Sequence, residues 1–413
     1  MLETAEAAGR ERARGMPRNV WAVTLTSFLT DISSEMVSNL LPLFLANVLG
    51  VRTGLIGLIE GVAETTASLL KMVSGWLSDR LGRRKALAVA GYALSTAAKP
   101  FLYFATTWPA VLAVRFADRA GKGLRTAPRD ALVADSVAPG QRGLAFGLHR
   151  AGDTAGAFVG LLAALAVLRL AQGSGAGLAR ATFQSVVLLS LIPAALAVLT
   201  LALGAREQRP SGPAARLPRL TLSGFDRRFR WFLVVVVVFT LGNSSDAFLI
   251  LRAQHAGLSA AGVLGMMLTF NLVYTLVSAP AGALSDRVGR RRLLVAGWGL
   301  YALVYLGFAL ARAGWHAWAL MAVYGVYYGL TEGAARALVA DLVPAERRGT
   351  AYGVFHAAIG LAALPASLLA GVLWQGAFGW AGLGAGAPFG VGAGLALLAA
   401  VGLAAMPGPP PET

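Results

Sequence analysis

The chain has 413 residues, of which 56% are hydrophobic and 14% charged, with 50 glycines and a formal net charge of +16 at pH 7. Soluble domains carry roughly a quarter charged residues, so this composition and a mean hydropathy of +0.64 exclude an ordinary soluble fold, and the apolar content excludes a disordered chain. The absence of cysteine excludes a disulfide scaffold, a thiolate metal site and a thiol nucleophile, and four histidines leave little for a histidine metal cage.

Residues 1–18 are polar and of mixed charge, without the apolar core of a signal peptide, so the first apolar stretch is not expected to be a cleaved leader. Twelve apolar stretches follow, near 20–47, 54–78, 87–107, 109–133, 143–168, 181–204, 231–252, 258–283, 293–312, 316–340, 350–374 and 384–406. Each is long enough for the about 20 helical residues that cross a bilayer. The expected fold class is therefore an all-α polytopic membrane protein.

Several stretches carry charge, which costs about 2.5–3.5 kcal/mol per group on insertion scales, so these residues must face protein or water. In the first, Asp31 and Glu35 are four apart, on one face and close to mid-span. Two buried acids so close resist holding two charges at once, which lets one exchange a proton. In the second, Glu60, Glu64 and Lys71 share a face, as an internal ion-pair network would. In the fourth, Arg115, Asp118, Arg119, Lys122, Arg125 and Arg129 form one helical stripe, with an Asp118–Arg115 pair as the plain alternative to function. Arg125 and Arg129 approach the stretch's end and are expected to pair with Asp79 or Asp135. The fifth holds His149, Arg150 and Asp153, and a glycine every four residues at Gly152, Gly156 and Gly160. The seventh holds Asp246 and the tenth Glu332 and Arg336, while Tyr324, Tyr327, Tyr328 and Trp374 fit packing at helical spacing.

Basic residues divide unevenly between the two sets of connections. One set holds 22 of the 36, including Arg80, Arg83, Arg84, Lys85 and Arg290–Arg292; the other holds Arg52, Arg169, Arg180, Arg252 and Arg312. Short cytoplasmic loops keep the excess of Lys and Arg, so both termini are expected in the cytosol, which an even number of spans satisfies. The positive charge is then a topology signal, and no nucleic-acid partner is expected. The expected location is the bacterial cytoplasmic (inner) membrane.

The chain also repeats itself. GWLSDRLGRRK at 75–85 recurs as GALSDRVGRRR at 282–292, and RDALVADSVAPGQRGLAFG at 129–147 recurs as ARALVADLVPAERRGTAYG at 335–353. SSE at 33–35 and SSD at 244–246 are a weaker match. The division expected is a six-helix bundle over 1–204, an arginine-rich cytoplasmic linker over 205–230 and a second six-helix bundle over 231–413. Residues 75–85 and their copy resemble the signature cytoplasmic loop of the major facilitator superfamily, and the likeness extends over the whole chain.

That resemblance implies two six-helix bundles related by a pseudo-twofold axis, moving a small molecule by alternating access. It implies that Asp79, Arg83, Arg129, Asp286 and Arg290 form a cytoplasmic gate, and that the first, fourth, seventh and tenth helices line a cavity. Proton coupling or substrate binding would then fall on Asp31, Glu35, Asp118, Arg119, Lys122, Asp246 and Glu332. Arg119-Ala-Gly-Lys122-Gly123 looks like the family's fourth-helix Arg-x-x-Gln-Gly motif, with Lys in the Gln position. The glycines of the fifth stretch partly match the motif of drug–proton antiporters, with Ala157 where that motif has proline. The function expected is proton-coupled efflux by a monomer, with the lipid bilayer, protons and a small-molecule substrate as partners. The alternative is proton-coupled uptake of an anionic metabolite or metal chelate. No enzyme activity, cofactor or bound metal is expected.

Overall fold

The structure, a computed structural model, describes residues 16–137, 141–172, 177–207, 224–343, 348–377 and 379–407. The side chains of Asp79 and Asp286, two of the expected gate residues, and most of the linker (208–223) lie outside what is described. Among the described residues all regular structure is helical. The first six spans are α1 (Arg18–Ser38, prolonged by Leu41–Leu43 and a π-helical turn Phe44–Val48), α2 (Thr53–Leu81), α3 (Arg84–Ala98), α4 (Trp108–Asp135), α5 (Arg142–Gln172) and α6 (Arg180–Gly204). The second six are α7 (Arg227–Gly242 and Asp246–His255), α8 (Ala260–Val288), α9 (Arg290–Leu310), α10 (Gly314–Asp341), α11 (Arg348–Gln375) and α12 (Ala387–Ala404).

All twelve stretches expected from hydropathy coincide with these spans. The crowded third and fourth separate because Ala105 and Thr107 are extended and Pro109 sits in the first turn of α4, where its missing N–H costs nothing. The basic loops turn on Gly82 (φ 62°) and Gly289 (φ 95°), a conformation that a Cβ resists. One feature escaped the hydropathy reading. α7 is interrupted at Asn243–Ser245, where Ser245 Oγ accepts from the Ala247 amide at 3.3 Å and restarts the helix. Tyr301 OH, from α9, donates to Gly242 O at 3.1 Å and takes up a carbonyl freed by the break.

Among the described residues seven spans are apolar enough to cross a membrane on composition alone: α5 to α9, α11 and α12. Most of the intramembrane charges fall on the others, with Arg150 and Asp153 of α5 and Asp246 of α7 as exceptions. Leu170, Leu203 and Phe104 stand exposed on the outside of the helices, as lipid-facing residues do.

Packing follows small residues. In α5 a Cβ on Gly156 would fall 2.3 Å from Phe28 O, and one on Gly160 2.5 Å from Ile32 O, so these glycines let α5 lie directly on α1. The glycine ladder thus positions the helix that carries Asp31 and Glu35. The main apolar core joins both halves at the end away from the basic loops, bringing Phe44, Ile56 and Ile59 together with Phe248 and Trp374. At the basic end the first half has a separate cluster of its own around Val23, Tyr92 and Leu132. The halves share a core at one end and part at the other.

Candidate functional site

A cavity of about 510 Å³ lies between the two halves. Its first-half wall is charged. α1 contributes Asp31 and Glu35, α2 Glu60 and Glu64, and α4 presents Arg115, Asp118, Arg119, Lys122 and Arg125 from one face, as their spacing predicts. Arg115 Nη2 donates to Glu60 Oε2 at 2.6 Å, with both side chains only 7% exposed, so this pair is a buried ion bridge. Arg119 lies 3.7 Å from both Glu64 and Asp118. The Asp118–Arg115 pair expected from sequence is therefore replaced: Arg115 takes Glu60 from the neighbouring helix, and Asp118 falls to Arg119. Asn39 Nδ2 donates to Glu35 Oε2 at 2.8 Å. Arg125 donates to Ser95 Oγ at 2.9 Å and stacks on Tyr92 at 4.4 Å. Neither Asp31 nor Lys122 has an ion pair within 4 Å among the described residues, and Lys122 is exposed to the cavity.

The second-half wall is neutral apart from one carboxylate. The break in α7 aims Asn243, Ser244, Ser245 and Asp246 at the cavity, with Tyr328 and Phe270 beside them. Tyr324 OH donates to Asp246 Oδ1 at 3.2 Å, and Asp246 faces Glu35, Glu60 and Glu64 across the space. Tyr324, Tyr327, Tyr301 and Tyr305 form an aromatic block behind that wall, which for Tyr324 and Tyr327 is the packing role their spacing suggested. Tyr328 alone of this group reaches the cavity. Sequence reasoning took Ser244 and Ser245 only as a weak repeat of Ser33 and Ser34 and missed the helix break at Asn243–Ser245; helix-capping residues in mid-span are the signal that reveals it.

Glu332 does not join this cavity. It lies in a second one, of about 490 Å³, nearer the basic end, because α10 carries it more than two turns past Tyr324. There Arg150 Nη2 donates to Tyr274 OH at 2.6 Å, Tyr274 OH donates to Glu332 Oε2, and Arg336 donates to Glu332 Oε1 at 2.7 Å. Arg150 and Glu332 approach to 3.6 Å, so α5 of one half is bridged to α8 and α10 of the other. Arg129 pairs with its neighbour Asp130 at 2.8 Å and reaches Ser27 at 3.3 Å, not Asp135. Asp135 belongs to Arg84, and Arg290 to Asp341 at 2.5 Å. Both of these ion pairs lie within a half; Arg83 is an exposed residue at the start of α3. Among the described residues the cross-half bridge at the basic end is Arg150–Tyr274–Glu332.

The opposite end is shut. α2 and α11 run together from Thr53, whose amide donates to Gln375 Oε1 at 2.8 Å, to Thr65, whose hydroxyl donates to Gly360 O at 2.6 Å. A Cβ on Gly57 would fall 2.2 Å from Ser367 O, so the two backbones touch with no room for a side chain. Closer to the basic end the helices part, and a Cβ on Gly353 would meet nothing within 4 Å. The cavity is closed away from the basic loops and reached from their side, and Glu64 keeps 48% of its exposure inside it.

Two halves of six helices, a charged cavity between them and a one-sided seal are now matched by comparison. The family model described as Major Facilitator Superfamily matches residues 23–269 and 231–413. The chain belongs to the major facilitator superfamily. An uncharacterized MFS-type transporter of Methanocaldococcus jannaschii is 34% identical over 371 residues, covering 88% of this chain and 90% of that one. Multidrug resistance protein MdtH of Aeromonas hydrophila is 32% identical over 152 residues, 37% of this chain and 38% of its own. In fold, a bacterial homologue of the human lysosomal transporter Spinster, solved in an inward-facing and unoccupied conformation, superposes with a TM-score of 0.68 over 95% of this chain and 96% of that one, at 17% identity. As a superfamily member the chain is a membrane-embedded secondary transporter, not an enzyme.

Proposed function

We propose that this transporter exports a small organic solute across the bacterial cytoplasmic membrane in exchange for protons, as a monomer whose termini and basic loops face the cytosol. The observation that carries the reading is the placement of Asp31, Glu35 and Asp246. Three carboxylates without an arginine or lysine partner within 4 Å among the described residues project into one cavity from α1 and α7, the helices that lead from it to the sealed end. A carboxylate free of a fixed counter-ion can hold a proton in one state and a cationic or hydrogen-bonding solute in the other. With the basic loops in the cytosol, the arrangement is open to the cytosol and ready to load cargo for export. The partial likeness to a multidrug resistance protein supports the same direction.

Lys122 and Arg125 favour a second reading. Both line the cavity without a carboxylate within 4 Å among the described residues, which suits an anionic cargo taken up together with protons.

One experiment separates the two. Lumenal pH is followed with a fluorescent dye in proteoliposomes under an imposed proton gradient, while lipophilic cations, organic anions and metal chelates are added in turn. Solute moving against protons supports export, and solute moving with protons supports the anion reading. No proton movement with any solute, repeated with a sodium gradient to find another coupling ion, defeats proton coupling.

A further inference from the structure

At the basic end of the second half, outside the transport pathway, lies a groove of about 850 Å³. Arg228 at the start of α7 and Arg290, Arg291 and Arg292 at the start of α9 line it. One carboxylate, Asp341, lies among them and is engaged by Arg290 at 2.5 Å. Arg291 donates to Ala404 O and Arg228 to Pro407 O at 3.1 Å, which sets two more guanidinium groups along the rim. Arg292 is exposed and has no ion pair within 4 Å among the described residues. One turn along α7, Trp231 is 39% exposed and donates its indole N–H to Gly402 O at 2.8 Å. A half-exposed tryptophan beside arginines marks the headgroup level of a bilayer. Below the rim, Leu284 and Val288 of α8 are both exposed.

The sequence repeat supplies an internal control. At the corresponding turn of the first half, the opening amides of α3 are occupied: Lys85 N and Ala86 N donate to the two carboxylate oxygens of Glu207, at 2.8 and 3.2 Å. The first copy of the loop therefore carries an anion of its own. In the second copy the counterparts of Lys85 and Ala86 are Arg292 and Leu293; Leu293 N donates to Gly289 O at 3.2 Å, no described side chain accepts from the Arg292 amide, and a groove lined by arginines stands where the carboxylate would be.

We propose that this groove binds the phosphate group of an anionic phospholipid. The phosphate sits between Arg228, Arg292 and the opening amides of α9, and the acyl chains follow Leu284 and Val288. Guanidinium groups match phosphate oxygens in charge and geometry, a helix N-terminus adds its dipole, and basic pockets at a membrane boundary attract acidic headgroups.

The test is native mass spectrometry of the full chain in detergent, titrated with phosphatidylglycerol or phosphatidylcholine. Phosphatidylglycerol should bind about tenfold more tightly than phosphatidylcholine. The Arg228→Gln/Arg292→Gln variant should lose that preference while Arg83→Gln, an exposed change in the other half, keeps it; an unchanged melting temperature shows that the variant is folded. Equal binding of the two lipids by the wild type overturns the proposal, as does a preference that survives in the double variant. Displacement of the lipid by equimolar inorganic phosphate would assign the groove to a free anion instead. Phosphatidylglycerol binding that emerges only when residues 408–413, which include Glu412, are removed would assign it to the chain's own tail.

Discussion

The two halves share a loop sequence and a helix count, yet they divide the work of the cavity unequally. Among the described residues the first half supplies nine charged groups to its wall, and two of its spans, α5 and α6, are apolar enough to cross a membrane on composition alone. The second half supplies one, Asp246, and five of its spans pass the same criterion among the described residues. The repeat keeps the basic turns at Gly82 and Gly289, while the charges lining the cavity differ between the halves. A network of ion pairs lines one wall, while the other offers a broken helix, hydroxyls and a single acid. The difference teaches that a charge in a span is no guide to function by itself; what distinguishes it is whether a neighbouring helix supplies a counter-ion.

The sharpest way to break this comparison is to remove one member of the buried pair. Arg115→Met strands Glu60 and should cost about 3–5 kcal/mol, seen as a large fall in melting temperature in detergent; adding Glu60→Gln should return most of it. If Arg115→Met melts like the wild type, the first-half network is not structural. On the second wall the pattern should invert. Asp246→Asn keeps an oxygen for Tyr324 and should leave the melt nearly unchanged, while solute-driven proton movement in proteoliposomes falls by about tenfold or more. Asp31→Asn should behave in the same way, and full transport by both variants would remove the coupling role from these acids.

Smaller effects sharpen the contrast between the sealed and open ends. Gly57→Ala sets a methyl group against the Ser367 carbonyl and should push the halves apart at the seal. The wild type has no cysteine, so Ser38→Cys in the cavity can report this through a membrane-impermeant thiol reagent. Its labelling from the sealed side should rise about tenfold with Gly57→Ala, a shift of about 1.4 kcal/mol. The smallest change belongs to Glu332→Gln. Its partner Arg150 is 55% exposed, so the lost bridge is worth at most about 1 kcal/mol, and the melt should move little. A drop as large as that of Arg115→Met would mean that this bridge, not the seal, holds the halves together.

Much of the fold was legible in the sequence because a bilayer imposes simple demands. Twelve apolar stretches, the asymmetry of the basic residues and the duplicated loop each follow from the need to satisfy the backbone and place charge outside hydrocarbon. The α4 stripe was legible too, since helical spacing decides which side chains share a face. What spacing leaves open is the partner. Arg115 and Asp118 are three apart, but α2 brings Glu60 closer to Arg115 than its own helix brings Asp118. Glu332 sits on a cavity-lining helix, yet its depth along α10 assigns it to the basic-end bridge. The α7 break was hidden because three small polar residues barely dent the hydropathy of a 29-residue span. The glycines of α5, whose spacing resembled an antiporter motif, are explained in the fold by close contact with α1.

The central claim is that the halves rock about the cavity, with protonation of its carboxylates biasing the motion. It is tested most directly by electron–electron resonance distances between spin labels on cysteines introduced into the cysteine-free chain. One pair, Arg80→Cys with Arg287→Cys, reports the basic end, and the other, Thr106→Cys with Arg312→Cys, the sealed end. On passing from alkaline to mildly acidic pH, one distance should lengthen as the other shortens, and Asp31→Asn/Asp246→Asn should abolish the response. Two distances that stay fixed, that change in the same direction, or that respond equally without the carboxylates would contradict the account.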